Sequence, residues 1–203
     1  ITTLVLMAAD RMGRTPVNVD AGWEQLTTEL NLAAALRTVV RKGGRQVAAK
    51  GVFHAAWQVF ANRWINIPYR PLSEPPKAVA LDVAGEDSGM ALVVHSIKTL
   101  NYQEVGGQVV GYLNAGFSGE RLLQEMGRAI LWDDTSSRIL PALRTVFDEW
   151  ALCGDSAHPA RCQLLAGLAR YAADIRTNRD GGSAAATATR FADGRTTVEV
   201  FEA

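Results

Sequence analysis

Three histidines, His54, His95 and His158, are the residues of this sequence best suited to chemistry. Imidazole titrates near neutral pH and is the commonest transition-metal ligand, and helical bundles hold iron, manganese or haem through side chains projected inward from separate helices. Each of the three falls on, or at the start of, a segment with helical periodicity. They form the candidate pocket or ligand set, and any two sharing one metal would need to converge to within about 5 Å. The Glu-x-x-His signature of di-iron bundles is absent at all three, so neither a metal nor a cofactor is assigned. For His54, a hydrogen-bonded core role among Phe53, Trp57 and Gln58 competes with a ligand role.

The other reactive groups have simpler explanations. Asp133-Asp134 and Asp148-Glu149 are neighbours in sequence, and adjacent residues on a helix do not share a face. Capping accounts for the first pair and a solvated face for the second. The Gly-Gly pairs at 43, 106 and 181 do not join a strand to a helix, so no phosphate loop is implied. Cys153 and Cys162 are nine apart, which matches no zinc or redox spacing, and are expected to be free thiols. Trp57, Phe60, Trp64 and Tyr69 lie close together and read first as large core residues. Arg63, Trp64 and Tyr69, where a helix gives way to Asn66-Ile67-Pro68, form the candidate interface.

Helices must position these groups. Leu4, Val5, Ala8 and Met12 predict a helix over 2–12, closed by Gly13 and Pro16. Trp23, Leu26, Leu30, Ala33, Ala34 and Val40 predict a second, broken at Gly43-Gly44. Val47, Phe53, Ala56, Trp57, Phe60 and Trp64 predict a third, ending near Ile65. Prolines 71, 75 and 76 predict a long loop over 69–87. A fourth helix through His95 is expected to reach Val105 and to continue, kinked at Gly106-Gly107, to Leu113. Further helices are expected over 120–131, from 133–135 to 152 with a later start or a kink at Pro141, and from His158-Pro159 to Arg176. The residues beyond read as an extended or hairpin tail. The expected fold is an all-α, antiparallel bundle of six or seven helices over 1–176, with a tail over 177–203.

A chain of 203 residues is long enough for one buried core. Lys plus Arg equals Asp plus Glu at 21 each, and the charge sum suggests no nucleic-acid surface. The apolar run 1–9 is too short to span a bilayer, so a cytoplasmic protein without a membrane span is expected. Arginine outnumbers lysine by 17 to 4, a bias of GC-rich bacterial genomes. An initial Ile inside a helical pattern leads us to expect a processed or truncated N-terminus.

The stretches from Gly51 to Pro68 (GVFHAAWQVFANRWINIP) and from Val94 to Leu100 (VHSIKTL) resemble a helical bacterial family of questin oxidase-like proteins and helical domains that accompany Rieske-type iron-sulfur proteins. Leu122–Asp134 looks like that group's Gly-His-Ala-Leu-Leu motif followed by acids, with Arg128 where its histidine is expected. A second histidine, expected after the acids, is also missing. The resemblance implies a redox setting, and the lost histidines imply that this member does not retain the chemistry. The expected function is an accessory or interaction subunit of a bacterial oxidoreductase assembly, with a protein partner or as a homo-oligomer. The alternative is an oxidoreductase working through its helix-borne histidines.

Overall fold

The stretch Cys162–Ile175 carries Leu164, Leu165, Leu168 and four alanines, so it has apolar side chains all round rather than along one stripe. A helix of that kind must be covered on every side. In the computed structural model, which describes residues 1–14, 20–62, 74–81, 84–132, 139–153 and 159–175, it is the central helix. In chain order the helices are α1 (Thr2–Arg14), α2 (Asp20–Ala61), α3 (Glu86–Lys98), α4 (Tyr102–Asn114), α5 (Gly119–Trp132), α6 (Ile139–Leu152) and α7 (Cys162–Ile175). A 3-10 turn, Pro159–Arg161, leads into α7. The described residues contain no strand. Helices α1, α3, α4, α5 and α6 surround α7, and α2 packs mainly on α1 and α6 while reaching α7 through Trp23. The all-α architecture expected from periodicity is the one observed.

Several polar groups link the helices of this centre. Trp23 of α2 donates its indole N–H to Asp174 of α7, and its ring packs 5.2 Å from that of Tyr171. Arg170 donates to the Gly13 carbonyl at the end of α1. Buried donors and acceptors left unpaired cost about 1–3 kcal/mol each, so such links fix how α1, α2 and α7 meet.

α2 is two helices joined at Gly44. The backbone there has φ 81 and ψ 171, a region open essentially to glycine alone. The chain reverses at this point, because Leu36 packs over Gly51 and Glu29 lies beside Asn62. The result is a helical hairpin with a first arm over 20–43 and a second over 45–61. Arg11 of α1 holds the second arm by donating to the Val59 carbonyl. The break expected at Gly43-Gly44 is therefore real, and it sets two helices side by side.

The expected single helix from 88 to 113 is not formed. α3 stops at Lys98, Leu100 takes the left-handed conformation (φ 62), and α4 begins at Tyr102. The amide of Asn101 closes the end of α3 on the Ser96 carbonyl at 2.9 Å. Gly106 and Gly107 lie inside α4 and do not kink the chain between two halves of one helix. Their role is steric. The extended segment 74–81 crosses α4, with Val79 N–H donating to the Gly107 carbonyl at 3.0 Å. A Cβ at Gly107 would come within 2.7 Å of the Lys77 carbonyl, and one at Gly111 would overlap the Val79 carbonyl. This segment occupies part of the expected long loop over 69–87, and glycine is what lets its backbone lie against the helix.

α6 as described runs Ile139–Leu152 with Pro141 near its start, and the expected earlier start at 133–135 lies outside the described residues. The tail over 177–203 lies outside the described residues.

Candidate functional site

His54 and His95 do not meet in the bundle core. His54, on the second arm of α2, and His95, on α3, are both exposed, and His158 lies outside the described residues. The core role weighed for His54 among Phe53, Trp57 and Gln58 is likewise not what the structure places there. Among the described residues no group of three His, Cys, Asp or Glu side chains is placed to hold a metal ion. Cys153 and Cys162 are free thiols, and burial pushes both above the usual thiol range, which disfavours the nucleophilic thiolate. The expected interface residues Arg63, Trp64 and Tyr69 also lie outside the described residues.

Two surfaces stand out instead, both built on the α2 hairpin. The first is an open groove of about 1320 Å³ between the first arm and α6. On its floor Arg37 grips Glu149 through Nε, at 2.7 and 2.9 Å to the two carboxylate oxygens. The same guanidinium donates from Nη2 to Thr2 Oγ1 at 2.8 Å, tying α2, α6 and α1 together. Thr145 donates to the Asn31 side-chain oxygen at 2.6 Å. Glu149 is 1% exposed, so the pair beneath it is structural rather than a free binding charge. Along the α6 rim Leu140, Phe147 and Leu152 are 43, 38 and 61% exposed. Opposite them lie Ala34, Ala35 and Thr38. Small side chains facing large apolar ones across a satisfied polar floor give a trough that accepts a helix.

The second surface is the outer face of the second arm. Its inner face packs small residues, Ala48, Ala55 and Val59, all buried. The aromatic stripe expected to be core lies on the opposite side. Phe53, Trp57 and Phe60, spaced i, i+4, i+7, are 78, 64 and 52% exposed. The rings of Trp57 and Phe60 lie 5.7 Å apart, so the face is a continuous strip. Burying a side chain of this size is worth about 1.5–3 kcal/mol, which these positions largely forgo in the isolated chain. Periodicity identified the helix correctly but could not say which side faces inward: small residues repeat on one face and aromatics on the other.

Charge accompanies the strip. Residues 31–73 contain seven lysines and arginines and no aspartate or glutamate. Four of these cations, Arg41, Lys42, Arg45 and Lys50, are exposed around the hairpin turn. Summing charge over the whole chain conceals this run, because the remaining residues carry fourteen cations against 21 acids. Counting by segment was the signal that would have found it.

A third cluster is structural. Glu86 accepts from Tyr112 at 3.1 Å, from the Ser118 amide at 3.0 Å and from Arg121 at 2.5 Å, and Arg121 also reaches Asp87 at 2.9 Å. The Ser118 N–H, foremost, holds the Glu86 carboxyl below its ordinary value, while burial first and Glu86 second push the Tyr112 phenol far up. The arrangement fastens α3 to α4 and α5. No family model, curated protein or solved structure matches the chain.

Proposed function

We propose that this chain is a helical accessory subunit of a bacterial oxidoreductase assembly, docking a helix of its redox partner in the α2–α6 groove and performing no chemistry of its own. The observation that carries the reading is the groove: an open trough with exposed Leu140, Phe147 and Leu152 along one rim and small residues along the other. Helix-in-groove recognition uses apolar anchors at helical spacing against such a rim. The solvent exposure of His54 and His95 supports an interaction role over a buried metal centre, and the resemblance to helical domains that accompany Rieske-type proteins supports a redox partner.

Co-expression with a Rieske-type iron-sulfur protein tests the proposal. The expected result is a stable complex that Phe147→Asp/Leu152→Asp weakens at least about tenfold, as loss of two apolar anchors should. Stoichiometric iron in the purified chain alone, lost in His54→Ala, would overturn it in favour of a histidine-based oxidoreductase.

A further inference from the structure

We propose that the second arm of the α2 hairpin, residues 45–61, is a membrane-surface element that lies flat on an anionic bilayer through Phe53, Trp57 and Phe60. The inference goes beyond the accessory role and rests on the second arm, whereas the groove lies between the first arm and α6.

The argument begins with the two faces of one helix. Ala48, Ala55 and Val59 are buried against the protein, while Phe53, Trp57 and Phe60 on the other side stay exposed. The arm is about 25 Å long at 1.5 Å per residue. Exposed Ala49 and Ala56 add small apolar side chains beside the aromatics. A bilayer needs no complementary groove: an interfacial helix sinks large apolar side chains to the headgroup and acyl boundary, and tryptophan favours that depth. No helix among the described residues is long and apolar enough to cross a membrane, so the contact proposed is with the surface.

Charge complementarity selects the lipid. Arg41, Lys42, Arg45 and Lys50 are exposed at the hairpin turn, with no acid anywhere between residues 31 and 73 to offset them. Each cation near an anionic surface strengthens binding about fivefold. A second copy is a poorer occupant, because pairing two such arms brings two cationic turns together without an acid to answer them. Single-stranded nucleic acid would need separate stacking platforms, whereas Trp57 and Phe60 pack on each other at 5.7 Å.

Vesicle flotation of the full chain decides the matter. Phosphatidylcholine vesicles containing phosphatidylglycerol should carry the protein with them, and phosphatidylcholine vesicles alone should carry at least about tenfold less. Phe53→Ser/Trp57→Ser/Phe60→Ser should abolish binding to the anionic vesicles while far-ultraviolet circular dichroism stays helical. Arg45→Glu/Lys50→Glu, a change confined to exposed positions, should weaken it at least about 25-fold and remove its dependence on salt. Equal binding to both vesicle types, or no binding to either, overturns the proposal. So does a wild-type dimer that the triple variant converts to monomer in sedimentation equilibrium, which would make a second copy the occupant. Binding of poly(U) in preference to anionic vesicles would assign the face to nucleic acid and overturn it equally.

Discussion

Glu29 illustrates how one side chain carries a pH signature for the whole fold. It is 1% exposed on the first arm of α2, and burial raises its carboxyl above the ordinary 4.5 more than the neighbouring Asn62 amide and Arg11 guanidinium lower it. The folded protein therefore holds this proton more tightly than the unfolded chain. Protonation favours folding, and the stability it contributes at low pH is lost as pH rises from 4.5 through the raised folded value. Glu29→Gln removes that ionisation. The thermal midpoint of the wild type should fall relative to that of Glu29→Gln as pH rises above 4.5. A difference between the two proteins that does not change with pH would contradict this account.

Among the elements, the hairpin and the extended segment depend on glycine for different reasons, and the two can be separated. Gly44 faces open space, but its backbone lies where L-residues are strained, so Gly44→Ala should cost about 1–3 kcal/mol through conformation alone. Gly111 has ordinary helical geometry, but a methyl group there would overlap the Val79 carbonyl. Gly111→Ala should cost a similar amount by overpacking, about 1–3 kcal/mol, and should lift 74–81 from α4. Limited proteolysis distinguishes them: new cleavage within 74–81 is expected in Gly111→Ala and not in Gly44→Ala. Cleavage in both, or in neither, would mean that the segment is held by something other than the glycine surface of α4.

For the molecule as a whole, zero net charge hides a division into a cationic hairpin region and an acidic remainder. A protein with no net charge and a pI near 7.0 should pass a cation exchanger at neutral pH if its charges were evenly mixed. This one should be retained at low salt, released as screening increases, and lose most of its retention in Arg45→Glu/Lys50→Glu. Elution of the wild type in the flow-through would show that the cationic turn is neutralised elsewhere on the surface.

Helix content was set locally and was therefore readable: the periodicity of Leu122, Leu123, Met126 and Ile130 predicted α5. Gly44 also announced a break, because its conformational role is local. What each helix faces was a tertiary matter. A stripe of Phe53, Trp57 and Phe60 looks the same in sequence whether it is buried or exposed, and the pairing of Ala48, Ala55 and Val59 with the first arm decided it. The same holds for Gly106-Gly107, where the sequence offers a kink and only the segment from 74 to 81, distant in the chain, explains the absence of side chains. The histidines were legible as residue types on helices; the exposure of His54 and His95 depended on helix rotation, which long-range packing fixes and periodicity does not.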